Sequence, residues 1–389
     1  MKKAIMYGAG NIGRGFIGQL LSQSGYEVVF LDINGAVIDA LNERRSYPLR
    51  LVTAMGTEET TVKNARGVNS MDASQAAQEI STADLMATAV GANILPRIAP
   101  VIARGLTLRW QAGNEQPLNI VICENLLNAH KVLEKLLLDT LDAGLREVFH
   151  QRVGLVEASI GRMVPVTTAE MQQGDVLRVW AEPYAELPVD LDGFVGPLPQ
   201  IVGLKPFSPF EFFIERKLYM HNMSHATLAY LGKLAGHEFI WQAVRDKAIA
   251  EAARAALRES SLALSQKHGV PLAELDLFAD DLMARFDNPP LGDTVARVGR
   301  DTVRKLAPGD RLIGAATVCL EQGITPRYIC ASIAAGLLFA AEGDEASAQV
   351  RGCAASEGLE AALAKYCGIT PESPLYPMIA EKYMQYSSQ

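Results

Sequence analysis

The chain has 389 residues, 49 % of them hydrophobic and 21 % charged, an ordinary globular composition with length enough for two domains. A net charge of −8 argues against nucleic acid as the main partner and leaves room for a local basic pocket for a small anion. No apolar run is long enough to cross a bilayer, no leader peptide precedes the first strand, and the five scattered cysteines lack metal-ligand spacing; a cytoplasmic protein with reduced thiols and no metal site is expected.

Residues 3–7 (KAIMY) predict a short apolar strand, and GAGNIGRGFIGQLLSQSG a turn followed by a helix. EVVFLDI reads as a second strand and NGAVIDALNERR as a helix. LMATAVGA reads as a strand ending in a Gly turn, and LNIVICEN as a strand ending in polar residues. Strands alternating with helices indicate a parallel sheet covered by helices, an α/β domain of Rossmann type. VLRVWAEPYAEL looks like strand, and the Pro- and Gly-rich VDLDGFVGPLPQIVG after it suggests a boundary, placed at 190/191. Beyond about residue 209 the pattern is helical, with Ala-rich amphipathic runs such as WQAVRDKAIAEAARAALRESSLALSQKHG. A mostly α-helical C-terminal domain, 191–389, is therefore expected to face the sheet domain, 1–190, across a cleft. The last segment, ITPESPLYPMIAEKYMQYSSQ, either packs on the helical domain or frays.

Gly8, Gly10 and Gly13 form GxGxxG directly after the first strand, with Asn11 and Ile12 inside the motif. Their missing side chains permit a tight turn, close approach to a pyrophosphate and close helix–strand packing, and the helix N-terminus then meets the phosphates. Asp32 ends the second strand, where a carboxylate bonds the ribose 2′-hydroxyl and repels a 2′-phosphate, so NAD is favoured over NADP. Val90 and Gly91, in the turn after LMATAVGA, join the expected cofactor-binding set. Arg14 is expected to point at the pyrophosphate.

FFIERKLYMHNMSHATLAY should be a buried helix carrying Lys217, Asn222 and His225. At 100° per residue, His225 lies about 80° and Asn222 about 140° round the axis from Lys217, so all three can share a side. A lysine in such a place is costly without a task, and desolvation turns its ammonium into a base. A lysine base can take the proton of a secondary alcohol as hydride leaves. Asn222, and Asn125 at the carboxyl end of LNIVICE, can supply amide N–H groups to the developing alkoxide. His225 would bond a substrate hydroxyl or orient the lysine. The bland alternatives remain open: Lys217 snorkelling to solvent, Asn125 as a helix N-cap, His225 as a satisfied core residue. His221 and His237 read as structural. Arg297, Arg300, Arg304 and Lys305 recur at helical spacing as one basic stripe, with Asp293 or Thr294 as helix cap. Guanidinium groups suit phosphate, and a solvated face paired with Asp293, Asp301 or Asp310 is the competing reading.

Lys-x4-Asn-x2-His resembles the signature of the polyol-specific long-chain dehydrogenases, the mannitol dehydrogenase family. YGAGNIGRGFIG, CENL, ERKL, AYLGKLAGH, RFDNPPL, RVGRD and RKLAPGDRLIG are similar to its members that act on a polyol phosphate. The resemblance runs from end to end. It implies metal-independent, NAD-linked interconversion of D-mannitol 1-phosphate and D-fructose 6-phosphate. It also implies that Arg297 and Lys305 contact the substrate and that the chain is a monomer or weak dimer; Arg300 and Arg304, from the same basic stripe, are looser candidates outside the resemblance. The family's usual Asp-Arg-Ile-x-Pro appears here as Gly161-Arg162-Met163-Val164-Pro165. That departure keeps a family member acting on an unphosphorylated polyol or a hexuronate in view. A non-catalytic NAD-binding regulator is the reading from another class; the intact Lys217, Asn222, His225 and Asn125 argue against it.

Overall fold

The structure, a computed structural model, describes residues 1–388. Its strands are β1 (Lys2–Tyr7), β2 (Tyr26–Asp32), β3 (Ser46–Thr53), β4 (Gly56–Lys63), β5 (Ala65–Asn69), β6 (Leu85–Thr88), β7 (Leu118–Ile122), β8 (Val153–Glu157), β9 (Val179–Ala181), β10 (Leu187–Asp190) and β11 (Leu204–Phe207). Six of them form one sheet in the order β5-β2-β1-β6-β7-β8, with every pairing parallel. A parallel sheet needs both faces covered, which explains strands that are apolar without alternation. Successive side chains of β1 serve opposite cores: Ala4 and Met6 pack with Phe16, Leu20 and Phe30, whereas Ile5 and Tyr7 pack with Val29, Leu31 and Ile98. The strand–turn–helix alternation expected from the sequence is present.

A small second sheet, β4-β3-β9, is not anticipated by the sequence reading. The β3–β4 hairpin has Thr53 opposite Gly56, and most of β4 (GTEETTVK) is exposed. VLRVWAEPYAEL, expected as one strand, is strand only at Val179–Ala181 and again at its last residue, where β10 begins.

The chain divides into two compact units, Met1–Glu211 and Phe212–Gln389. Parallel pairing of β10 with β11 keeps the segment after residue 190 in the sheet unit. The second unit is helical. Its longest helix, Lys247–His268, is separated from Ile240–Arg245 by Asp246, whose side chain accepts the N–H groups of Ala248 and Ile249. Gly269, at φ 66°, ends it. The Ala-rich run is thus two helices. The C-terminal segment forms the helix Tyr376–Ser387, which packs through fully buried Ile379 against Arg327–Leu338. All five cysteines are buried and free. No helix among the described residues is long and apolar enough to cross a membrane.

The first turn sets the spacing of the sheet unit. Gly8 has φ 105°, and a Cβ there would stand 2.4 Å from the Ala89 carbonyl oxygen. A Cβ on Gly13 would stand 2.0 Å from the Gly8 carbonyl oxygen. Backbone, unlike a side-chain tip, cannot move aside cheaply. Gly13→Ala is expected to lower unfolding free energy by about 1–3 kcal/mol in urea titrations, the usual cost of overpacking; unchanged stability would refute the close-approach reading.

Candidate active site

The cofactor-type residues come first, all in the sheet unit. Gly10 is exposed, and a Cβ on it would meet nothing within 4 Å. The glycine at the mouth of the turn is therefore not required by packing, which is the space a pyrophosphate needs. Asn11 accepts a hydrogen bond from the Thr167 hydroxyl at 2.9 Å. Ile12 is half-buried at the start of the helix, whose next turn, Gly13–Ile17, is a π-helix. Asp32 closes β2 and is tied to the same turn: its Oδ2 accepts Ala9 N–H at 2.7 Å and its Oδ1 accepts Asn34 N–H at 2.9 Å. The carboxylate is thus fixed in direction and still partly exposed.

Arg14 does not point at the turn's mouth. It is buried, donating to the carbonyls of Ala9 (2.6 Å), Val176 (3.0 Å) and Leu177 (2.7 Å), so it is a structural clamp and the pyrophosphate role expected for it is corrected. Burial lowers its pKa, and those carbonyls satisfy its donors.

Val90 and Gly91 are held by a residue that the sequence reading passed over. Buried Glu124 accepts Val90 N–H at 2.9 Å and Gly91 N–H at 2.8 Å, one on each carboxylate oxygen. This clasp joins the loop after β6 to the loop after β7. Asn125 follows Glu124 and is exposed. It does not cap the next helix, Ala129–Thr140, which starts from Asn128 at φ 53°. The signal for Glu124 lies in the run CEN: an acid at the end of an apolar strand has to bond something.

In the helical unit, Lys217–Asn222 is a π-helical turn between the helices Glu211–Arg216 and Met223–Leu234. The α-helical angles expected for this stretch are therefore wrong locally. A π turn closes on i+5, so Lys217 and Asn222, at i and i+5, come towards one face instead of lying well apart. Both are half-buried. His225 follows on the α-helix with its ring stacked on Phe286, centroids 4.7 Å apart and planes at 16°. His225 Nε2 stands 2.9 Å from Asp293 Oδ2, a distance suited to an ion pair when the ring is protonated, without completing a hydrogen bond. Asp293 also pairs with Arg297, whose Nε lies 2.8 Å from Oδ1. Burial raises the Asp293 pKa, but His225 and Arg297 outweigh it and hold the carboxyl below its ordinary value. His221 is buried one turn earlier, 6.2 Å from the His225 ring. Burial, then the charges of Arg285, His225, Lys217 and Arg311, press its pKa well down, so it is neutral. His237 pairs with Asp246 at 3.2 Å.

The basic segment is not one helical stripe. The helix Val295–Gly299, capped by Thr294, stops at Arg300, and Asp301 turns left-handed (φ 66°) before Thr302–Lys305. Arg300 is exposed at the break. Arg304 pairs with Asp301 at 2.6 Å and Asp310 at 3.6 Å, as the solvated-face reading expects. Lys305 is buried and donates to the Val298 carbonyl at 2.5 Å. Burial, with Arg311 and Arg304 nearby, lowers its pKa to about 7. Arg311, not singled out from the sequence, is buried against Asp310 at 2.8 Å, and its charge bears on both Lys305 and His221. At the family's aspartate position, a Cβ on Gly161 would lie 3.2 Å from the Tyr184 ring, so that ring occupies the space. Arg162 beside it is buried, donating to the Glu182 carbonyl and Gln19 Oε1, both at 2.6 Å.

Residues 2–203 match the mannitol dehydrogenase Rossmann domain and residues 210–387 the mannitol dehydrogenase C-terminal domain. The chain belongs to the mannitol dehydrogenase family. It is 39 % identical over 379 residues, 97 % of each chain, to the mannitol-1-phosphate 5-dehydrogenase of Brevibacillus brevis. The fold is similar to that of Pseudomonas fluorescens mannitol 2-dehydrogenase, solved with NAD and D-mannitol (TM-score 0.76, 18 % identity, 100 % of this chain and 91 % of that one). It is also similar to a substrate-free D-sorbitol dehydrogenase (TM-score 0.80, 16 % identity, 99 % and 92 % coverage).

Two measurements probe this geometry. Gly10→Ala should leave unfolding free energy within about 0.5 kcal/mol of the parent, yet weaken NADH binding at least tenfold, about 1.4 kcal/mol, in a fluorescence titration. Tight binding in that variant would show that nothing approaches the turn there. Lys305 is neutral in the folded chain above about pH 7, whereas an unfolded lysine keeps its proton to about 10.5. Between those values the unfolded state binds more protons, so stability rises with pH; below them both states are charged and the full burial penalty is present. Lys305→Met should remove that rise, by up to about 1.4 kcal/mol per pH unit, in unfolding curves across the window. An unchanged slope would mean that Lys305 keeps its charge when folded.

Proposed function

We propose that this chain interconverts D-mannitol 1-phosphate and D-fructose 6-phosphate with NAD. The observation that carries the reading is the identity to a mannitol-1-phosphate 5-dehydrogenase along almost the whole length of both chains. The site chemistry supports it. Bound NAD would supply the hydride acceptor for the alcohol carbon, and its reduced form the hydride donor for the ketone. Gly8, Gly10, Asn11, Ile12 and Gly13 would hold its pyrophosphate, Asp32 its adenosine ribose, and Val90 and Gly91 the edge of the same site.

Lys217 takes the proton from the substrate hydroxyl during oxidation and gives it back during reduction. Asn222 and Asn125 donate amide N–H groups to the oxygen while it carries alkoxide charge. That trio does the work a metal ion would do as Lewis acid, so no metal is required. His225 bonds a neighbouring substrate hydroxyl. Arg297 and Lys305, with Arg300 as an outer contact, meet the phosphate; an anion beside Lys305 favours its ammonium form, offsetting the burial that neutralises it.

Gly161 favours a second reading. In a family member without the usual aspartate, with the Tyr184 ring in that space, the polyol end meets a different group, and an unphosphorylated polyol or a hexuronate would use the same lysine chemistry. The two readings separate by rate. NADH oxidation with fructose 6-phosphate is expected to exceed that with fructose, fructuronate and tagaturonate at matched concentration by a hundredfold or more, about 2.7 kcal/mol of discrimination. Comparable turnover of an unphosphorylated sugar would remove the phosphate assignment and keep the family. Lys217→Ala should lose at least about a thousandfold in kcat while NADH still binds, in line with removal of a general base; retention of most activity would show that another group takes the proton.

A further inference from the structure

The peptide carrying Asp293 is fixed before its side chain is considered. Ile240 N–H donates to the Asp293 carbonyl at 2.9 Å, Val295 N–H donates to the Glu238 carbonyl at 2.8 Å, and Phe239 and Thr294 form an antiparallel bridge. Thr294 Oγ1 accepts Arg297 N–H at 3.1 Å and starts the helix on which Arg297 sits. The carboxylate projecting from this anchored segment is only 12 % exposed, and its two oxygens go to two different residues: Oδ2 to His225 Nε2 at 2.9 Å, Oδ1 to Arg297. The other side of the His225 ring lies flat on Phe286. His225 therefore has Phe286 on its ring face and the carboxylate beside Nε2, and Arg297 bonds the same carboxylate.

Resting on the reading of His225 and Arg297 as substrate contacts, we propose that Asp293 is a positioning residue that sets these two groups at one separation, one for a substrate hydroxyl and one for the anionic end. An aspartate has a short stem, and a rigid backbone leaves it little to lose on ordering. A carboxylate beside Nε2 favours a proton on that nitrogen and leaves Nδ1 as the one for a substrate hydroxyl. Arg285, Lys217 and Arg311 bring further positive charge to His221, the neighbour of the His225 ring.

A double-mutant cycle tests this, with single-turnover NADH oxidation by fructose 6-phosphate as the readout for the parent chain, Asp293→Asn, His225→Ala and the pair. Asp293→Asn should slow the hydride step about tenfold or more and raise KM for fructose 6-phosphate, with NADH binding unchanged. In the His225→Ala background the same change should slow it less than about twofold further, because its effect runs through the ring. The rise in KM should persist there, because it runs through Arg297. If Asp293→Asn does not fold, Asp293→Glu, which keeps the charge and displaces it by one methylene, carries the same cycle. Parental rates in either variant, or full additivity with His225→Ala, would overturn the positioning role. A parent chain that turns over no ketose would sink the functional reading as well; an active parent with a silent Asp293 variant sinks this inference alone.

Discussion

An ionisable group taken out of water must find a partner or give up its charge, and much of what is distinctive here follows from how each buried group meets that condition. Arg14 and Arg162 meet it with carbonyl and amide oxygens and become fasteners. Glu124 meets it with two peptide N–H groups. His221 and Lys305 meet it by moving towards neutrality. Asp293 meets it with one imidazole and one guanidinium. Arg14, Arg162 and Glu124 make frame; the last two arrangements make chemistry available, because a neutral lysine or a shared carboxylate sits close in energy to a second state.

The same condition separates the proposed catalytic residues from their surroundings. Lys217 and Asn222 stand on a turn that is wider than an α-helix and that also carries His221, whose ring meets Phe286, the same ring on which His225 stacks. π-Helical turns often occur at functional sites because the inserted residue leaves a backbone position and a side-chain direction that an α-helix does not offer. A second such turn lies at Gly13–Ile17, directly behind the glycine motif, so both of the motifs that carry chemistry are set on irregular helix.

Much of this was legible in the residues. The apolar strands, the glycine turn and the acid after β2 carry their own geometry, because a buried parallel strand and a GxGxxG turn each leave few alternatives. What was hidden shares a physical reason. The β3–β4 hairpin is written largely in Thr and Glu, whose side chains face solvent and give no apolar rhythm. The break at Arg300–Asp301 follows Gly299, yet the left-handed position falls two residues later, on an aspartate, where residue type alone does not announce it. The π turn is invisible to a fixed angular period, since KLYMHN fits an α-helix equally well. Glu124 and Asp293 were readable as charges but not as clasps, because their partners lie far away in the chain, at Val90, Gly91 and His225. Arg14 was misread for the same reason: its carbonyl acceptors at Val176 and Leu177 belong to a loop more than a hundred residues away.

The π-helical turn has a consequence for how this protein can change over time. An insertion inside a helix is a record of one residue more than the regular ladder accommodates, and removing that residue would restore an ordinary helix with a better hydrogen-bond pattern. The shortened chain would keep its apolar face only by rotating everything before it through about 100°, carrying Lys217 away from Asn222 and His225. A deletion here is thus a change that favours the local helix and opposes the proposed arrangement of Lys217, Asn222 and His225. On the role proposed for Lys217, the extra residue holds a costlier helix in exchange for the direction in which it sends that lysine.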